Sequence, residues 1–157
     1  MVDHVKPLPA TSLKGVMRAA ARDLGVRPQV VTEIFGGPGG AGSPWWWSDA
    51  EFDTSDMVFD RLARIRVDDE SGLVKRGFLM MGEVVWAPRA RFRVAPLVSL
   101  DPTDADRDRL VLRAAARAVV AVGGSRRRGE GWVTVTDAHD WSASDSQALL
   151  QLTGVGS

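Results

Sequence analysis

The chain has 157 residues, 45% of them hydrophobic and 25% charged, with 20 basic against 20 acidic side chains. That length suits one ordinary domain, and the composition argues against a collagen-like fibre, a coiled coil or a disordered chain. The absence of cysteine excludes disulfides, thiol chemistry and sulfur-ligated metals.

The first residues, with Pro7 and Pro9, read as extended or turning. A helix is predicted from Thr11 or Ser12, either of which can cap it. Leu13, Val16, Met17, Ala20 and Leu24 then fall on one apolar face, and Gly25 ends the helix. Val26 to Phe35 reads as a second short helix with Pro28 in its first turn. Gly36 to Pro44 is a glycine-rich loop.

Strand character follows. Trp45 to Phe52 is predicted to contain a strand. In the stretch from Asp56 to Val67, Ala63, Ile65 and Val67 alternate with Arg64 and Arg66. Asp68 to Gly72 is a turn, and Phe78 to Trp86 and Arg91 to Leu100 are further strands. Asp101-Pro102-Thr103-Asp104 starts a helix, with Asp101 as cap and Pro102 as first helical residue, predicted to run to Gly123. A glycine-rich basic loop, Gly123 to Gly131, leads into a short strand from Trp132 to Thr136. A last helix is expected from Ser144 to Leu152, in a tail covering 137–157. This order matches the α-β-β-α-β part of a ferredoxin-like βαββαβ fold, with the first strand not visible.

Of the 20 basic residues, 17 are arginine and three are lysine. Arginine recognises phosphate bidentately and stacks on flat rings, although a GC-rich genome also produces arginine-rich chains. Two segments break local rules in a way that points to an anion. Lys14 near a helix start opposes the positive end of the dipole, and Gly15 there costs about 1 kcal/mol relative to alanine. A phosphate bound near Ser12, Lys14 and Gly15 would reverse both objections. Lys14, Arg18 and Arg22 recur every four residues as one basic stripe. A solvated face with an incidental glycine is the alternative. In the second segment, Gly123, Gly124 and Gly129 allow N–H groups to converge on an anion, while Ser125, Arg126, Arg127 and Arg128 add donors and charge. It lacks the ending of a Walker loop. A flexible solvated turn is the alternative here.

Together these segments carry a family resemblance. Leu8 to Arg18 (LPATSLKGVMR) resembles the "IPGSSLKGxxR" motif of the RAMP superfamily, the CRISPR-associated proteins with ferredoxin-like, RRM-like folds. Gly123 to Gly131 is similar to that family's C-terminal glycine-rich loop. Phe35-Gly36-Gly37 through Ser43-Pro44 to Ser48-Asp49-Ala50 looks like its "FG…SxxxxSDA" segment. Arg66-Val67-Asp68, Gly72 and Phe78-Leu79 through Glu83-Val84 resemble its "xIDxxTGxxxxGxLFxxExV" stretch. The resemblance runs from about Leu8 to Val135 and points most closely to type III effector backbone subunits. It implies an α+β RAMP domain over 1–157, with insertions and with its first strand truncated, supplied by another chain or lost through a misplaced start. It also implies guide RNA, target RNA and other effector subunits or copies of itself as partners.

In backbone subunits that cleave RNA, the resemblance places an aspartate in the loop before the first helix, where only Asp3 can stand in. Asp3 beside His4 also reads as an ordinary terminal carboxylate. Trp45, Trp46 and Trp47 divide between core and base stacking, since a strand points neighbours to opposite faces. Trp86, Trp132, Met80 and Met81 are expected in the core. Arg109, Arg113 and Arg117 form a second four-spaced stripe, expected to pair with Asp104, Asp106 and Asp108. Asp68, Asp69 and Glu70 read as a solvated hairpin tip. His139 receives no role, and Leu149, Leu150 and Leu152 are expected to pack on the domain or on a neighbour.

No cofactor or metal is expected, and two histidines leave little for a zinc site. No apolar run reaches the ~20 residues of a membrane span, and no secretory signal is present, so cytoplasmic residence and no membrane partner are expected. The function expected is a non-catalytic RNA-binding subunit of a type III-like CRISPR ribonucleoprotein in antiviral defence. The alternatives are a target-RNA endonuclease and an assembly protein without RNA contact.

Overall fold

Leu13, Met17, Ala20 and Ala21 are buried along one side of helix α1, Ala10–Asp23. The computed structural model describes residues 4, 6–39, 42–67, 74–123 and 130–154, leaving aside the side chains at 54 and 62–81. Among these residues α1 begins earlier than the sequence predicts. Pro9 is its cap residue, so Thr11 and Ser12 lie inside the first turn. Gly25, at φ +79°, ends the helix by adopting a left-handed conformation open to glycine. Helix α2, Pro28–Phe35, places Pro28 at its start and buries Val30, Val31, Ile34 and Phe35.

The described residues form two compact units. The larger comprises Leu8–Asp49 and Arg93–Ser157. Here α1 packs on α2 and on α3, Pro102–Ala118. The α3 cap is as predicted, with Thr103 N donating to Asp101 Oδ1 at 2.9 Å. Val111, Ala115, Ile34 and Val31 are at most 1% exposed. Burying a branched side chain such as Val111, Ile34 or Val31 contributes about 1.5–3 kcal/mol. Strand β1, Trp45–Trp47, pairs antiparallel with β6, Val94–Pro96, in the register Trp45↔Pro96 to Trp47↔Val94. Its alternation buries Trp45 and Trp47 and leaves Trp46 48% exposed.

Three expectations change in this unit. Helix α3 stops at Ala118 instead of Gly123, because Val119 turns extended. The strand expected from Trp132 to Thr136 is reduced to a single bridge, Ala121↔Trp132. Trp132 is therefore not core but 78% exposed, since a lone bridge covers neither face of its ring. The tail helix α4, Ala143–Leu150, carries a reciprocal capping box between Ser142 and Asp145. The tail returns to the same unit: Arg27 N donates to Leu152 O and Gly154 N to Gly25 O. Leu149 and Leu152 are half-buried and Leu150 is exposed.

The smaller unit comprises Met1–Pro7 and Ala50–Phe92. Strand β2, Glu51–Phe52, pairs with β5, Ala90–Arg91. Strand β3, Val58–Val67, pairs antiparallel with β4, Val74–Trp86. The register runs from Val58↔Trp86 to Ile65↔Leu79, with an irregularity before Val67↔Val74. Trp86 is 57% exposed rather than core, because it ends a two-stranded ribbon beside an exposed Val58. The turn at Asp68, Asp69, Glu70 and Gly72 and the side chains of Met80 and Met81 lie outside what is described. All described strands pair in twos, antiparallel. The mixed α+β class stands; the four-stranded ferredoxin-like sheet is not among the described residues.

Candidate nucleic-acid interface

Lys14 and Arg18 sit one turn apart on α1, and both are half-buried. Burial, and then the charge of Arg18, hold the Lys14 ammonium below its ordinary value. The Arg18 Nε is buried and has no hydrogen-bond partner. Among the described residues neither cation meets a carboxylate. A pair of partly desolvated cations without a counter-ion is electrostatically poised for an anion. Arg22 continues the stripe, exposed in the last turn. Gly15 is exposed, with open space where a Cβ would stand.

The start of α1 is a different matter. Lys14 lies in the second turn, not the first, and Ser12 N bonds back to Pro9 O at 2.9 Å. Ala10 N donates to Asp49 Oδ1 at 2.8 Å. The carboxylate of Asp49 therefore occupies the positive end of the helix, where the sequence suggests a phosphate. Asp49 thus takes one of the free N–H groups at that end, and the Lys14–Arg18 stripe further along α1 is the candidate surface. The Asp49 contact also joins two motif segments, since Asp49 belongs to Ser48-Asp49-Ala50. Other motif residues hold the backbone: Ser43 Oγ donates to Ile34 O at 2.6 Å, and Arg93 N donates to Ser48 Oγ at 2.9 Å.

Helix α3 pairs its arginines with carboxylates of the same unit. Arg113 Nε and Arg117 Nη2 each donate to Asp137 at 2.7 Å. Arg117 also donates to His139 O at 2.6 Å, and both guanidinium groups lie 5.4 Å from the Trp141 ring centre. Hydrogen bonding from Arg117, and then from Arg113, outweighs desolvation and holds the Asp137 carboxyl far below the usual range. Arg109 pairs with Asp106 as expected. The partners of Arg113 and Arg117 come from the tail instead of Asp104, Asp106 or Asp108. No periodic signal in the sequence pointed to Asp137.

Asp108 is buried at 2% exposure. It accepts from Trp45 Nε1 at 2.9 Å and from Arg107 Nε and Nη2 at 3.0 and 2.8 Å. Arg107 also reaches Glu33 at 3.0 Å. Burial opposes the Arg107 charge, and these carboxylates more than offset it. Trp45 is thus a core residue with a bonded indole, and Trp47 packs on Phe35 at 5.9 Å between ring centres.

In the smaller unit, His4 stacks on Phe59 at 4.3 Å and its Nε2 lies 3.3 Å from Glu83. Gly123 opens the basic loop at φ +92°, with open space where a Cβ would stand. Gly124, Ser125, Arg126, Arg127, Arg128 and Gly129 lie outside the described residues, as does Asp3. Gly131 closes the loop at φ +74°, where a Cβ would collide with Val122 O. Only glycine fits that close approach. Among the described residues no helix is long and apolar enough to cross a membrane.

A family model described as RAMP superfamily matches residues 2–134. No curated protein matches the chain.

Proposed function

The chain belongs to the RAMP superfamily, and from that premise we propose that it holds guide RNA by its phosphate backbone within a type III-like CRISPR effector. Membership itself implies a CRISPR-associated, RNA-binding role. What carries the finer reading is the Lys14–Arg18 pair, two partly desolvated cations that meet no carboxylate among the described residues. Phosphate oxygens satisfy such donors without reading sequence, so specificity falls to base pairing of the guide. The Arg126, Arg127 and Arg128 loop supplies a second clamp in this proposal, and other effector subunits or further copies of the chain complete the groove. In this reading the chain binds RNA without cleaving it, in the cytoplasm.

The test is a salt titration of single-stranded RNA binding. Replacing Arg126, Arg127 and Arg128 together with alanine should weaken binding to all sequences. The salt slope should flatten by about 0.7 for each phosphate that is no longer neutralised. An unchanged slope would sink the clamp. Sequencing RNA that co-purifies from the native host should return short species with a common repeat-derived end.

A further inference from the structure

Among the large apolar side chains of the described residues, Trp132 is the most exposed, at 78%. Among the described residues its ring meets no other aromatic and its indole N–H has no partner. Trp45 and Trp141 differ, with their indoles bonded to Asp108 and Ser146 at 2.9 Å. The backbone under Trp132 is nonetheless well held. Ala121 faces it in an antiparallel bridge, Val122 N donates to Gly131 O at 2.8 Å, and Val133 N donates to Val120 O at 3.0 Å. Val120, beside it in this pairing, is 73% exposed. A large flat ring is thus presented from a fixed backbone, directly after the loop that carries three consecutive arginines.

We propose that Trp132 is a nucleobase-binding residue, on which an unpaired base of single-stranded RNA stacks. The proposal rests on the RNA-binding reading above and adds a contact to the base where that reading uses only phosphate. An exposed aromatic gains little from water and much from the face of a base, and every base offers one. Arg126, Arg127 and Arg128, four to six residues before it in the chain, carry the charge opposite to a polyanion. Three consecutive arginines so near in the chain favour a polyanion over an ordinary protein partner.

The experiment compares the full-length chain with Trp132→Ala, Trp132→Leu and Trp132→Phe, titrated with oligoadenylate and oligouridylate at several salt concentrations. Trp132→Ala should weaken binding roughly 5- to 150-fold, as expected when one stack is removed. The salt slope should not move, since every phosphate partner is kept. Phe should restore most of the affinity and Leu little of it, with oligoadenylate the more sensitive probe. The exposed position means that all three variants should melt as the parent does. Three results overturn the proposal. One is Trp132→Ala binding RNA as tightly as the parent. Another is Leu restoring binding as well as Phe. The third is an unchanged RNA affinity with a changed sedimentation mass, which makes Trp132 a protein contact. A parent chain that binds neither RNA overturns the RNA-binding reading itself and the stack with it.

Discussion

Helices α1 and α3 carry the same pattern, cations spaced four apart along one face, and put it to opposite uses. On α3, Arg113 and Arg117 converge on Asp137 at 2.7 Å, and Trp141 lies beside both. Arg107 is held among Glu33, Asp104 and Asp108. On α1, Lys14 and Arg18 meet no carboxylate among the described residues, and the one aspartate at that helix start, Asp49, bonds the backbone N–H of Ala10. Spacing therefore creates a stripe on either helix, but carboxylates brought from distant segments decide whether it stays available. The cations of α3 tie the tail down, while Lys14 and Arg18 of α1 meet no carboxylate among the described residues.

The sharpest way to break this comparison is to remove the most buried acid. Asp108→Ala leaves Arg107 and the Trp45 indole without their shared acceptor. It should cost about 3–5 kcal/mol, read by urea denaturation. A change near zero would mean that the α3 side of the contrast is not held by charge. Next, Lys14→Ala and Arg18→Ala should each lower the salt slope of RNA binding by about 0.7 while stability changes little. If either variant instead unfolds readily and binds RNA normally, α1 is another structural helix and the contrast collapses.

A smaller effect is expected at the tail. Asp137→Asn weakens two arginine contacts and should cost on the order of 1 kcal/mol, with faster proteolysis after residue 136 and an unchanged RNA salt slope. The same contact predicts a pH dependence. The folded carboxyl titrates far below its unfolded value of about 3.9. Its stabilisation is thus fully present above that pH and is lost as pH falls below it toward the folded value. Near-ultraviolet dichroism of the tail tryptophan, followed through acid titration, should show this change in the parent and not in Asp137→Asn.

Much of the local structure was legible in the chain itself. Asp101-Pro102 marked the start of α3, Pro28 that of α2 and Gly25 the end of α1, because caps and glycines act over a few residues. The period of α1 placed Leu13, Met17 and Ala20 on its buried face but also Leu24, which is exposed past the helix end, and it missed the buried Ala21; the Trp45–Trp47 alternation followed from that of a strand. Errors gathered where a distant segment decides. Trp86 and Trp132 read as core because tryptophan is usually covered, yet a two-stranded ribbon and a lone bridge leave nothing over them. The contact of Asp49 with the α1 start was not legible either, because no local rule places it against Ala10 across 39 residues of chain.

Motif and short-range pattern were enough for the family, the α+β class, several helix limits and the candidate basic positions. Which cations are already neutralised, which helix end meets a carboxylate and which tryptophans stand in solvent emerged from the folded chain alone. Those outcomes depend on pairings between residues far apart in the chain. Coulomb attraction and burial act on distance in space, and periodicity along the chain does not encode that distance.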